Sequence, residues 1–317
     1  MKYKDLFLRA FEKRSSLLDD DTNCFRLFNG IGDDLEGISI DLYDQSILIQ
    51  YFREEHLLNG SLKRDLTSAI ISSLETLPLD ITSVMIKNRL SHDDPQTVQE
   101  IRRSRLLEGT APESDIIVKQ NGIKAWADLL EGQNTGVFLD MREVRNELLS
   151  LGVYNGAMLN LFCYTSLFSV HGLKNGAKSA INVDLSKGVL GRSRKNYELN
   201  EIRCDDRDFL YGDSWDWLVK FVKKKRQFDF IVFDPPTFSR NKKKSFSVKK
   251  DYNDSLNLID DLKPKYILTS INASSVTLDE YLSYHPPSWE SVKIFHESSD
   301  FPYDKKPYLK AGLWHIK

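Results

Sequence analysis

The 317-residue sequence predicts an α/β protein, a doubly wound parallel-sheet domain preceded by a small α+β domain. Three observations carry that expectation. From Phe138 onward short continuous apolar runs alternate with helix-like stretches, as strands do when helices cover both faces of a parallel sheet. Before about residue 110 the texture differs, with paired strands set among helices. Between the two lies "HDDPQTVQEIRRSRLLEGTAPES", polar and charged with proline at both ends, which reads as a linker. The expected domains are therefore residues 1–110 and 111–317.

The elements follow in order. A helix is expected over "LFLRAFEKRSSLL", then strands "EGISIDLY" and "SILIQYF" joined by a turn, a helix "SLKRDLTSAIISSLETL", and a strand "ITSVMIK". "IIVKQNGIKAWADL" flanks Asn121–Gly122, the dipeptide favoured in a type I′ hairpin turn, and bridges the domains. Asp140 with Glu143 has the form of a capping box, and Gly152 can end the helix between them, over about 141–151. Strands at "AMLNLFC", "AINVD", "FDFIVF" and "KYILTSI", with a weak one at "EIRC", then alternate with helices at "SLFSVHGLK", "SKGVLGRSRKNYEL", "DSWDWLVKFVKKK" and "YNDSLNLIDDL".

Composition narrows the class. A hydrophobic fraction of 41% and a charged fraction of 28% argue against disorder and fibrous structure. No apolar run approaches the roughly 18 residues of a membrane span, and the acid-containing N-terminus lacks a secretory core, so a cytoplasmic location away from membranes is expected. Cys24, Cys163 and Cys204 show no metal-like pairing, so neither a metal site nor a disulfide framework is expected. The net charge of −2 conceals basic clusters at Lys223–Arg226 and Arg240–Lys244, with Lys249 and Lys250 after them. Such lysines act together only over a screening length of about 8–10 Å. They read either as one positive face or as a solvated helix end and loop.

In an open parallel sheet, ligands bind beyond the carboxyl ends of the strands. The first such end carries "NLFCYTS", a turn of small and polar residues from Asn160 to Ser166; the second carries Asp184, an acid able to accept both hydroxyls of a ribose. The Gly-x-Gly-x-x-Gly turn that approaches a pyrophosphate is missing, so a nucleoside ligand such as S-adenosylmethionine suits the pattern better than a dinucleotide. Alone, Asp184 reads equally as a helix N-cap. Asp208–Phe209, after "EIRC", reads as an acid for an adenine amino group with an aromatic to pack on the ring, or as an ordinary surface pair. In "FDFIVFDPPTFSRNKKK", Asp234 ends a buried strand and Pro235 and Pro236 fix φ and remove two donors, aiming acceptors into the cleft. Phe238 can stack on an extruded base, and Lys242–Lys244 can follow its phosphates.

These stretches resemble the bacterial large-subunit ribosomal RNA methyltransferases of the class I, S-adenosylmethionine-dependent kind, whose catalytic domain is Rossmann-like. "VKQNGIKAWADLLEGQNTGVFLDMREVR" is similar to the hairpin and entry segment of that group. "NLFCYTSLFSVH", "INVDLSKGVL" and "FDFIVFDPPTFSRNKKK" resemble its cofactor loop, ribose acid and catalytic loop, most closely in the 7-methylguanine-forming half of a bifunctional enzyme. "RLFNGIGDDLEGISIDLY" resembles the N-terminal module of the cytosine-5 methylating relatives. The resemblance implies cofactor contacts for Phe162, Tyr164, Thr165, Ser166, Asp184 and Asp208 with Phe209, help from Arg142 at the cofactor carboxylate, and base contacts for Asp234, Pro235 and Phe238. It implies RNA as partner, 23S rRNA or a large-subunit precursor, and dimers occur in the group. Residues 1–110 would then recognise RNA.

The sequence departs from that group in ways that bear on chemistry. Ser166 and Leu167 stand where relatives keep glycine, and a side chain there crowds the cofactor or strains the backbone. Loss of cofactor binding would leave a non-catalytic RNA-binding or assembly protein; a methyltransferase for a non-RNA substrate is the remaining alternative. Cytosine-5 methylation needs a cysteine thiolate. No cysteine follows Cys204, and the late strand reads "ILTSINASS", so that chemistry is rejected and a base nitrogen, guanine first, is the expected acceptor.

Overall fold

The computed structural model describes residues 3–53, 60–90, 103–240 and 245–317, with side chains outside 238–250. The chain divides into two compact units, Met1–Arg142 with Ser298–Lys305, and Glu143–Glu297 with Lys306–Lys317.

In the first unit, α1 (Lys4–Arg14) and α2 (Gly60–Leu74) accompany a five-stranded sheet. Its strands are β1 (Cys24–Asn29), β2 (Ile38–Tyr43), β3 (Ser46–Tyr51), β4 (Ser83–Asn88) and β5 (Arg105–Gly109), in that spatial order. Only β3 and β4 are parallel, as the α2 crossover requires. Phe7, Phe11, Phe28, Ile40, Ile49 and Leu66 fill the core, each contributing about 1.5–3 kcal/mol on burial. The expected linker is corrected here: its described part includes β5, an edge strand paired antiparallel with β4. Leu106 is 45% exposed and the strand is mostly polar, so it carries no hydrophobic alternation to betray it.

The hairpin formed by β6 (Ile116–Gln120) and β7 (Ile123–Ala127) turns at Asn121 and Gly122, whose φ values of +51° and +75° are those a type I′ turn demands. It was expected to open the second domain, yet its hydrogen bonds run to the first unit. Asn23 N donates to Lys119 O at 3.1 Å and Gln120 Nε2 to Cys24 O at 2.9 Å. The division consequently falls after Arg142, not after residue 110. Helix α3 (Arg142–Ser150) matches the expected 141–151 closely and spans that division.

The second unit is built on a seven-stranded sheet. Strands β8 (Gly156–Leu161), β9 (Ala177–Asp184), β10 (Phe209–Tyr211), β11 (Phe230–Phe233) and β14 (Tyr266–Asn272) are parallel. The connecting helices are α4 (Leu167–Lys174), α5 (Lys187–Leu199), α6 (Ser214–Lys223) and α7 (Val248–Asp260). A short ribbon of β12 (Phe238–Arg240) and β13 (Ser245–Ser247) precedes α7, and α8 (Leu278–Ser283) leads into an antiparallel pair, β15 (Trp289–Phe295) and β16 (Leu309–Ile316), that closes one edge. The spatial order is β10-β9-β8-β11-β14-β16-β15. From β8 the chain winds first toward β10 and then, from β11, the other way. The crevice between the carboxyl ends of β8 and β11 is therefore the topological switch point where ligands bind in such sheets.

One strand is displaced from its expected place. "EIRC" forms no strand, and the third parallel strand is the three-residue β10, which begins after Asp208. An edge strand this short, with only Phe209 buried, carries too few apolar residues to read as one.

Candidate functional site

The loop from β8 to α4 packs three left-handed residues into five positions: Phe162 at φ +54°, Tyr164 at +48° and Ser166 at +62°. None is glycine, so each conformation must be held by its neighbours. Cys163 N donates to Val183 O at 3.0 Å, Tyr164 N to Asp184 Oδ2 at 3.1 Å, and Ser166 N to Cys163 O at 2.8 Å. Asn196 Nδ2 of α5 donates to the Thr165 carbonyl at 3.0 Å. The loop is thus folded against the end of β9 and the face of α5.

Asp184 ends β9 and is half-buried. Its two oxygens accept from Tyr164 N and from Ser186 N, the latter at 2.9 Å. Burial raises its pKa while the backbone donors oppose the rise. The N-cap of α5 is Ser186, which accepts from Val189 N at 3.3 Å, so Asp184 is not spent as a cap. A carboxylate accepts more than one hydrogen bond per oxygen, so a pinned Asp184 retains capacity for vicinal hydroxyls.

The register Tyr211 to Asp184 places the carboxyl end of β10 beside this acid. The residue that follows is Gly212, whose N donates to Asp184 O at 3.0 Å, and then Asp213, whose Oδ1 accepts from Trp215 N at 2.9 Å. Asp213 is also the N-cap of α6, and it stands at the carboxyl end of β10, a position that "YGD" before an amphipathic helix signals. Asp208 stands elsewhere. It precedes β10, level with the middle of β9, and its carbonyl accepts from Asn182 Nδ2 at 3.3 Å. Phe209 is buried, its ring 4.9 Å from that of Tyr197 with the Arg194 guanidinium 4.6 Å over it, so it faces the core instead of a ligand.

Of the other expected cofactor residues, Phe162 packs edge-on to Phe233 at 5.9 Å and its N–H meets Ser214 Oγ at 3.3 Å. Thr165 and Ser166 are buried, and the Thr165 carbonyl and Ser166 N–H are taken up by Asn196 and the Cys163 carbonyl. Leu167 is buried as well, so neither departure from glycine projects outward. Arg142 lies in the first unit, where its guanidinium meets Asp300 Oδ1 at 3.0 Å.

Asp234 follows β11 directly, with Pro235 buried and Pro236 exposed. The hydroxyl of Ser270, on the neighbouring β14, donates to Asp234 Oδ1. Thr237 Oγ1 donates to Asn272 O at 2.7 Å, tying the turn to the end of β14. Phe238 opens β12; its side chain, Lys249 and Lys250 are outside the described side chains, and Lys242–Lys244 outside the described residues. Cys163 beside the site is buried, and burial pushes its thiol pKa up, which disfavours the thiolate.

Carboxylates thus stand at the carboxyl ends of β9, β10 and β11, an acceptor set that fits the hydroxyl and amino donors of a nucleoside without a pyrophosphate. Among the described residues, no group of three or more His, Cys, Asp or Glu is placed to hold a metal ion, and no helix is long and apolar enough to cross a membrane.

Comparison with known proteins identifies the family. A family model described as S-adenosylmethionine-dependent methyltransferase matches residues 25–315. YwbD of Bacillus subtilis (strain 168) is 33% identical over 249 residues, covering 78% of this chain and 60% of its own. Ribosomal RNA large subunit methyltransferase I of Aeromonas salmonicida (strain A449) is 30% identical over 257 residues, covering 79% and 62%. The matches thus span about three fifths of those relatives' lengths. The crystal structure of SMU.776 complexed with SAH superposes with a TM-score of 0.86 at 26% identity, covering 99% of this chain and 81% of that one.

Proposed function

The chain belongs to the S-adenosylmethionine-dependent methyltransferase family, and we propose that it methylates a base nitrogen of RNA, with guanine in large-subunit ribosomal RNA as the acceptor. The observation that carries this reading is that a ribose-type acid, Asp184, and an acceptor turn, Asp234-Pro235-Pro236, follow β9 and β11 at the same carboxyl edge, on either side of β8. The ribosomal RNA methyltransferase named among the relatives supports the substrate class.

When bound, S-adenosylmethionine supplies an electrophilic methyl group on a sulfonium. The protein's residues bind and align. Asp184 would hold the ribose hydroxyls, Asp213 the adenine edge, and the backbone of Phe162, Tyr164, Thr165 and Ser166 the wall of the cofactor cleft. A ring nitrogen with a free lone pair needs little base catalysis, so alignment and exclusion of water supply most of the rate. Asp234, oriented by Ser270, and the Pro235 carbonyl would accept hydrogen bonds from the acceptor base, and Phe238 would stack on it. No covalent intermediate is required. The inward orientation of Ser166 and Leu167 removes the reason to favour a non-catalytic protein. Residues 1–110 and the basic loop after Phe238 are proposed to carry RNA recognition.

The test is incubation of the purified protein with methyl-labelled S-adenosylmethionine and unmodified large-subunit ribosomal RNA, followed by nucleoside analysis. Label in 7-methylguanosine is the expected result. Label in another N-methylated nucleoside would move the target, and label in protein or small molecules alone would overturn the substrate class.

A further inference from the structure

Ser166 is fully buried in a left-handed conformation, φ +62° and ψ +28°, that glycine adopts freely and serine does not. Its hydroxyl donates to Ser193 Oγ at 2.8 Å. Ser193 lies on α5, is itself fully buried, and has two acceptors in reach: the Tyr164 carbonyl at 2.8 Å and, in its own helix, the Val189 carbonyl at 3.2 Å. A hydroxyl has one proton to donate. Accepting from Ser166 orients the Ser193 rotor so that its proton goes to Tyr164. The Tyr164 N–H in turn meets Asp184 at 3.1 Å. Three positions along α5 from Ser193, Asn196 holds the next carbonyl, that of Thr165.

We infer that Ser193 is a positioning residue for the cofactor, acting through a hydrogen-bond relay, Ser166 to Ser193 to Tyr164 to Asp184. The relay does for this loop what a glycine would otherwise do passively. Serine at 166 brings its own donor, and α5, which starts three residues after Asp184, brings the group that receives it. The left-handed turn and the two peptides that flank the Tyr164 Cα, one accepting from Ser193 and the preceding one donating to Asp184, are thereby set together with the ribose acid. The inference rests on the reading of Asp184 as ribose acceptor.

The test is calorimetric affinity for S-adenosylhomocysteine on the full chain, with melting temperature measured alongside. Ser193→Ala is expected to weaken binding about tenfold, the value of roughly one lost hydrogen bond, while Ser193→Thr, which keeps the hydroxyl, stays within about threefold of the parent. Ser166→Ala should weaken binding in the parent but add little on top of Ser193→Ala, because both act through one relay. Binding within about twofold of the parent for Ser193→Ala, together with loss of binding in Asp184→Ala, would overturn the relay and leave the cofactor site intact. Unchanged binding in Asp184→Ala would instead defeat the site reading, and the relay with it. Should Ser193→Ala fail to fold, Ser166→Gly decides: it relieves the backbone and removes the donor. Weaker binding without a lower melting temperature supports the relay, and unchanged binding overturns it.

Discussion

The hydroxyl of Ser270 donates to Asp234 Oδ1 across two adjacent parallel strands, β14 and β11. Ser270 is fully buried and Asp234 half-buried, so the bond fixes one oxygen of the carboxylate at the end of β11. Asp234→Ala is expected to abolish methyl transfer while the fold persists. Ser270→Ala frees the carboxylate to rotate and should lower kcat about 10- to 100-fold, the scale of a misplaced reacting group, with cofactor affinity unchanged. Steady-state kinetics beside calorimetry checks both, and a parent-like kcat in Ser270→Ala would remove the serine from the site.

Asp184 is pinned by two backbone amides, so replacing the carboxylate itself is the direct way to remove the arrangement. Asp184→Ala removes charge-assisted bonds of about 1.5–3 kcal/mol each to the ribose and should weaken cofactor binding about 100-fold or more. Asp184→Asn, which keeps one acceptor oxygen, should lie between. Equal affinity in all three proteins would assign the ribose elsewhere.

The strand positions give a sharper comparison. Asp213 follows β10 beside Asp184, whereas Asp208 precedes it and projects from the other end of the same short strand. Asp213→Ala is expected to weaken cofactor binding about tenfold, and Asp208→Ala less than about twofold. The reverse ranking would restore the acid that precedes the strand.

That pair also marks where the sequence was legible. Strands β8, β9, β11 and β14 are long or wholly buried and read directly as apolar runs, so the acids at the ends of β9 and β11 could be placed by inspection. Strand β10 has three residues, one of them buried, and β5 is polar with its leucines partly exposed. Neither carries periodicity, because pairing partners outside the segment stabilise it. The same limit moved the domain division: the Asn-Gly turn was readable, but its docking on Asn23 and Cys24 depends on residues about a hundred positions away. Ser166 and Leu167 read as a defect in the cofactor loop. Only the fold shows Ser193 waiting for the serine hydroxyl.

Acid sensitivity follows from two buried histidines of the second unit. His171 and His285 both have pKa values pushed down to about 4 by burial, and Arg145 adds to the effect at His171. Each titrates near 6.5 when unfolded, so between about pH 4 and 6.5 the unfolded chain binds more protons. Stability from these groups is complete above about pH 6.5 and is lost as pH falls through that window toward 4, by roughly 2 kcal/mol per histidine at pH 5. Neither ring nitrogen of His171 has a hydrogen-bond partner among the described residues, so His171→Leu should cost little at pH 7.5. Urea unfolding at pH 7.5 and 5 should show its pH-dependent loss made smaller, by roughly 2 kcal/mol, and an unchanged loss would exclude His171 as a contributor.

The buried pair Arg142–Asp300 predicts the behaviour of the first unit. Asp300 is fully buried and its carboxylate also accepts from Arg26 N at 2.8 Å, while its carbonyl accepts from Arg14 Nε at 3.2 Å. Residues Ser298–Lys305 are thereby held to a unit more than a hundred positions earlier in the chain. Removing one member of a buried ion pair leaves the other charged and unpaired, which costs about 3–5 kcal/mol. Asp300→Ala is therefore expected to be severely destabilising, and Asp300→Asn, which retains acceptors for Arg142 and Arg26 without the charge, less so. Denaturation monitored by circular dichroism separates the two, and Asp300→Ala as stable as the parent would mean that Arg142 finds its counter-charge elsewhere.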